Sequence, residues 1–172
     1  MALLTAGWPL LDSAVANRQP LATGANVTVG SGPGSSGTVT VGPGWYVQPA
    51  LSNPMQNFVL TKDGVVLDIR HVSLVDSFQM AFAWLGMRQV LSLTHPGSVL
   101  SEPAHTTTVH GRQALTGTIS GLGLIGMGVI VPGPSREFAI AMVMLAPHGT
   151  SRALIQAARR ILFSLTFSAP SR

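Results

Sequence analysis

Hydrophobic and polar positions change period several times along the chain, and each change marks an element. Thr38-Val39-Thr40-Val41 alternates with period two and closes at Gly42-Pro43-Gly44 before Trp45 and Tyr46, the pattern of a strand followed by a turn. Asn57 to Lys62 and Val65 to Ser73 alternate in the same way around Asp63-Gly64, a dipeptide suited to the positive φ angles of a type I′ hairpin turn. On the second of these strands Val65, Leu67 and Ile69 share one face. Val66, Asp68, Arg70 and Val72 share the other, as in a sheet with one solvated side.

The period then lengthens. Phe78, Ala81, Phe82 and Leu85 recur at helical spacing behind Asp76 and Ser77, whose side chains suit an N-cap, so a helix is expected from about Ser77 to Leu91. Pro96-Gly97 punctuates its exit. His105 to Ser120, Leu122 to Val131 and Arg136 to Leu145 read as three antiparallel strands, broken at Gly121 and at Pro132-Gly133-Pro134. The last segment, Ser151 to Leu162, places Leu154, Ala157, Ala158, Ile161 and Leu162 on one side and Arg152, Gln156, Arg159 and Arg160 largely on the other, an amphipathic helix. The order strands, helix, strands, helix predicts an α+β fold: an antiparallel sheet flanked by helices.

Before this domain the pattern is different. Met1 to Leu11 is uncharged and apolar apart from Thr5, and polar residues follow at once. This stub reads as the end of a membrane segment, with Trp8 suited to the interface; the alternative is a short helix packed on the domain. Pro20 to Gly37 is dominated by Gly, Ser, Thr and small residues, so residues 12–37 are expected to form a flexible tether. The folded domain is then expected to run over 38–167, with 168–172 as a tail. The sequon Asn26-Val27-Thr28 has meaning only in a eukaryotic secretory pathway.

Composition narrows the function classes. The 172 residues are 46% hydrophobic and only 9% charged, with mean hydropathy +0.40, so the chain is neither disordered nor a polar scaffold. Its net charge of +4 is carried almost wholly by arginine, and so few charges do not make a basic patch for nucleic acid. Zero cysteines exclude disulfides and thiolate metal sites.

Candidate chemistry is sparse. Gly121-Leu122-Gly123-Leu124-Ile125-Gly126 satisfies G-x-G-x-x-G, but a strand rather than a helix follows it, so a glycine-rich hairpin is expected and no nucleotide. His71, His95, His105, His110 and His148 are scattered; His105 and His110 would point to opposite faces of a regular strand and neither has an adjacent carboxylate, so no metal site is expected. Asp63, Asp68 and Asp76 each have a local structural role, and no G-x-S-x-G elbow occurs, so no catalytic residue is assigned and no cofactor is implied. What stands out is the helix carrying Phe78, Met80, Phe82, Trp84 and Met87. Its aromatic and Met residues cover too wide an arc for one buried face. Trp84 and Met87, extended by Trp45 and Tyr46, are therefore the candidate binding surface for a partner or lipid.

Several stretches taken in order carry a resemblance. They are Val39-Thr40-Val41-Gly42-Pro43-Gly44-Trp45, the strand pair around Asp63-Gly64, the helix after it, Gly111-Arg112-Gln113-Ala114 and the closing Arg160-Ile161-Leu162-Phe163-Ser164-Leu165-Thr166-Phe167. From Thr38 to Phe167 the chain resembles the PsbP-like or Mog-type fold, in particular extracytoplasmic domains of actinobacterial, mycobacterial, membrane proteins and LpqN-type lipoproteins. The resemblance implies an α-β-α sandwich and a non-enzymatic adaptor, some such proteins serving cell-envelope lipid transport; it assigns no functional residue. Lacking a lipobox Cys, the chain would reach the membrane by a transmembrane anchor or act as a secreted form. The expectation is a membrane-tethered extracytoplasmic binding domain whose partner is an envelope membrane protein or lipid. Two rivals are an envelope hydrolase with a dispersed Ser/His/Asp site, which predicts a His meeting both a carboxylate and a hydroxyl, and a carrier with a closed apolar cavity.

Overall fold

The computed structural model describes residues 18–32, 34–74 and 79–168. The expected stub Met1 to Leu11, the expected cap at Asp76 and Ser77, and Phe78 lie outside these residues.

The chain opens with short strand β1 (Gln19–Pro20), followed by β2 (Ala25–Gly30), β3 (Ser36–Val41) and β4 (Tyr46–Val47). A single 3-10 turn over Pro49–Leu51 precedes β5 (Asn57–Lys62) and β6 (Val65–Ser73). Helix α1 (Gln79–Thr94) leads to β7 (Val99–Leu100), β8 (Ala104–Thr107), β9 (Gln113–Gly121), β10 (Leu124–Pro132) and β11 (Phe138–Pro147). Helix α2 (Arg152–Phe163) and β12 (Thr166–Phe167) close the described chain.

Nine strands form one sheet in the order β1-β4-β5-β6-β11-β10-β9-β7, with β8 also paired to β9, and β12-β3-β2 form a second, smaller sheet. Every pairing is antiparallel among the described residues. The fold is α+β, as the order of patterns predicts.

β11 shows how the layers are built. Phe138, Ile140, Met142, Met144 and Ala146 enter one core cluster, whereas Ala139, Ala141 and Leu145 enter another. Alternate side chains point to opposite faces of a strand, so the central strand is buried on both sides. The first cluster is closed by α2 and the small sheet, through Val27, Val29, Val39, Val41, Ala158, Ile161 and Leu162. α1 closes the second through Trp84, Met87 and Leu91. The flanking layer on the α2 side is thus part helix and part sheet.

The hairpin at Asp63-Gly64 forms as expected, with φ of 45° and 81° at the two residues. Gly121 to Gly126 is also a hairpin, with Gly123 at φ 77° and Leu124 paired to Gly121. Three expectations need correction. The stretch taken as a tether contains β1 and β2, and Val27 and Val29 are buried, so the folded domain begins before Thr38. Its Gly/Ser composition belongs to the β2–β3 turn, while Asn26-Val27-Thr28-Val29 keeps the period-two alternation of a half-buried strand. The segment His105 to Ser120 is not one strand: it turns at Thr108 to Arg112, where Gly111 has φ 75° and Thr108 N–H donates to Arg112 O at 2.8 Å. α1 runs on to Thr94, beyond the expected end at Leu91.

Candidate functional site

The register of the main sheet explains which face of α1 is buried. Val59, Asp68, Val143, Gly128 and Gly117 are successive cross-strand partners and form one row beneath the helix. At the α1 end of that row two glycines stand side by side. A Cβ on Gly117 would lie 2.7 Å from the Trp84 ring, and one on Gly128 would lie 2.7 Å from Met87 Sδ. The missing side chains make a notch that the two largest inward residues of the helix fill. Trp84 Nε1–H donates to Ser101 O at 3.3 Å, which satisfies its polar atom inside the notch.

The expected binding surface is therefore overturned. Trp84 is 2% exposed and Met87 8%, so both are core residues. Trp45 is 1% exposed and belongs to the core cluster on the α2 side, so it does not converge with Trp84. Tyr46 alone of the four is exposed, on the short strand β4 between β1 and β5.

The inference that α1 has too many apolar residues for one face nonetheless holds, with the faces exchanged. At 100° per residue Phe82, Leu85 and Leu93 fall opposite Trp84, Met87 and Leu91, and Val90 lies on the flank between the two sets. Phe82 is 67% exposed and Leu93 73%, with Leu85 and Val90 exposed between them. Gln89 and Ser92, with Arg88 at the edge, fall on the same outward side, interspersed with Phe82, Leu85 and Leu93, so that side is mixed rather than a continuous polar face. A Cβ on Gly86, beside this stripe, would meet nothing within 4 Å.

Beside the stripe lies a groove of about 1260 Å³. One wall is the flank of α1, including Phe82, Gly86 and Val90; the other is the loop carrying Leu51 and Met55, both exposed. Its floor is the uncovered half of the sheet, where Val59 and Val66 accompany Asp68 and Arg70. Arg70 Nε–H donates to Asp68 Oδ2 at 2.8 Å, and this bond holds the guanidinium above its ordinary pKa against the opposing effect of burial. Both Arg70 bonds go to Oδ2, so buried Asp68 Oδ1 has no protein partner. An unsatisfied buried acceptor costs about 1–3 kcal/mol, which a donor from an occupant would recover.

A second cluster lies on the α2 side. His71 stacks on Phe138 at 5.1 Å between ring centroids, and its Nε2 is 3.5 Å from Ser35 Oγ. Burial pushes His71 below its ordinary pKa, partly opposed by a hydrogen bond with the Ser35 backbone. Among the described residues no carboxylate reaches His71, so this hydroxyl–imidazole contact lacks the orienting acid of a nucleophilic triad. No three His, Asp or Glu side chains among the described residues are arranged to hold a metal ion. No described helix is long and apolar enough to cross a membrane.

Phe82, Leu85, Val90 and Leu93 are the site residues that sequence reasoning did not select. The deciding feature is the Gly117–Gly128 pair, which selects the bulky side chains above it for burial but is brought together only by the sheet register.

No protein family model matches the chain, and no curated protein matches it. Solved structures do. The Saccharomyces cerevisiae Ran-binding protein Mog1p is 13% identical with a TM-score of 0.55, covering 86% of this chain and 97% of its own. A point mutant of Mog1 gives 13% identity and a TM-score of 0.54 over 84% of this chain and 97% of its own. Cyanobacterial PsbP (CyanoP) from Synechocystis is 8% identical with a TM-score of 0.58, covering 86% of this chain and 95% of its own. At these identities the likeness establishes a PsbP/Mog1-like fold.

Proposed function

We propose that the domain is a non-enzymatic binding module, and that the outward face of α1 with its adjoining groove receives an apolar segment of a partner protein. The observation that carries this reading is the exposure of Phe82, Leu85 and Leu93 opposite a face that is already buried, with exposed Val90 on the flank that lines the groove. An amphipathic helix on a sheet normally turns its large apolar residues to the core, and the described residues leave Phe82, Leu85 and Leu93 on the open side of this one. The floor suits a peptide rather than a hydrocarbon, because Asp68 Oδ1 can accept a hydrogen bond from a backbone or side-chain donor. The yeast protein of this fold is a Ran-binding protein, which supports binding of a protein as the class of activity.

In this reading Met1 to Leu11 attaches the module to a membrane, with the domain on the extracytoplasmic face and an envelope membrane protein as the partner class. The apolar, uncharged composition of the segment supports it.

A photo-crosslinking residue at position 82, compared with one at Gln156 on α2, tests the surface. The expected result is a crosslinked protein specific to position 82, whose purified form binds the wild type at least tenfold more tightly than a Phe82→Ser/Leu93→Ser variant of unchanged stability. Equal crosslinking from both positions, or equal affinity for the variant, would overturn the assignment.

A further inference from the structure

The ionic groups are distributed unevenly between the two sides of the main sheet. Asp68 and Glu102, two of the four described carboxylates, pair with Arg70 and Arg88 on the α1 side. α2, on the other side, carries Arg152, Arg159 and Arg160 and no carboxylate. All three arginines are exposed, and none lies within ion-pairing distance of a carboxylate among the described residues.

Helix stability does not account for this set. Arg160 in the last turn complements the helix dipole, but Arg152 in the first turn opposes it, and no acidic residue occupies that turn. At 100° per residue Arg152, Gln156, Arg159 and Arg160 cover one outward face, away from buried Ala158, Ile161 and Leu162. The apolar stripe of α2 is thus committed to the core, and what remains is a cationic surface two turns long.

We infer that this arginine face of α2 docks the domain on an anionic phospholipid surface. The three cations are arginines, whose guanidinium groups pair with phosphate oxygens in a planar, bidentate manner. Three cations are too few for nucleic acid, where binding typically rests on about six to ten phosphate contacts. They suffice as an auxiliary signal at a membrane, where stable attachment combines one apolar anchor with a basic patch. The inference rests on the reading of Met1 to Leu11 as that anchor. With α2 against the lipid, the apolar face of α1 on the far side of the sheet stays open to a partner.

The test uses the full chain with vesicles of phosphatidylcholine alone and of phosphatidylcholine with phosphatidylglycerol, comparing wild type with Arg152→Gln/Arg159→Gln/Arg160→Gln. At low salt the wild type should partition onto the anionic vesicles more strongly by on the order of 100-fold, from about fivefold per arginine. Raising the salt should collapse that difference. Equal binding of wild type and the triple variant to anionic vesicles would overturn the inference, as would preference for an oligonucleotide over the vesicles. Binding to phosphatidylcholine alone reports on Met1 to Leu11 separately: if wild type and variant both fail to bind it, the anchor reading falls while the arginine comparison still decides this one.

Discussion

Helices α1 and α2 pack on opposite faces of the same sheet and solve opposite problems. α2 separates its residues cleanly, with Ala158, Ile161 and Leu162 buried and arginines outside, so it leaves no large apolar stripe facing water. α1 buries Trp84, Met87 and Leu91 yet presents Phe82, Leu85 and Leu93 on its outer side. Burial of one stripe is enough to dock a helix. A second apolar stripe adds nothing to that docking and leaves a surface that favours association.

The comparison breaks first if the buried stripes are not equivalent. Trp84→Ala should destabilise the fold by about 3–5 kcal/mol, because a large side chain leaves a cavity over two glycines that cannot fill it. Ile161→Ala on the other helix should cost about 2–5 kcal/mol for the same reason. Urea unfolding of both variants checks this, and a Trp84→Ala protein of wild-type stability that loses only partner binding would restore the original assignment of Trp84 as a binding residue.

A smaller effect sharpens the account of the notch. Gly128→Val places a branched side chain where Met87 Sδ already lies, and overpacking of this kind costs about 1–3 kcal/mol. Gly86→Ala, in open space on the same helix, should instead stabilise by up to about 1 kcal/mol. Thermal midpoints of the two variants should move in opposite directions.

The outer faces should matter least to folding. Phe82→Ser and Leu93→Ser should each change stability by no more than about 0.5 kcal/mol, comparable to Arg159→Gln on α2. Only the α1 pair should weaken partner capture, by at least about 1–2 kcal/mol if Phe82 is an anchor. A loss of about 2 kcal/mol or more for Phe82→Ser and Leu93→Ser, with none for Arg159→Gln, would show that the outer face of α1 is covered.

The last prediction concerns pH. Burial lowers the pKa of folded His71 below that of the unfolded chain, so the unfolded state binds the proton more readily. The sign follows directly: stability contributed by neutral His71 is fully present above the unfolded value near 6.5 and is lost as pH falls through the folded value. Urea midpoints measured downward from pH 8 should show this decline in the wild type and a flatter profile in His71→Asn.

Local pattern determined much of this molecule. Asp63-Gly64 specified its hairpin because those two positions need left-handed backbone angles, and the α2 sequence specified its buried stripe; the Ser151 cap is seen in the structure. Leu154 N–H donates to the Ser151 side chain at 3.3 Å, as an N-cap requires. Strand alternation in Val65 to Ser73 likewise separated Val65, Leu67 and Ile69 from Asp68 and Arg70, because a strand's faces are set by its own period.

Other features depended on partners far away in the chain. Val27 and Val29 are buried because β3 pairs with β2 and the small sheet packs on the large one, which no composition window over Pro20 to Gly37 contains. The fate of α1 was undecided for the same reason: with large apolar residues on two opposite sides, its own sequence does not say which one is buried. Gly117 and Gly128 become neighbours only through the β9–β10 register, and their shared notch admits Trp84 and Met87 and turns Phe82 and Leu93 outward. Periodicity can count the apolar faces of a helix, but steric fit against the sheet decides which one is buried.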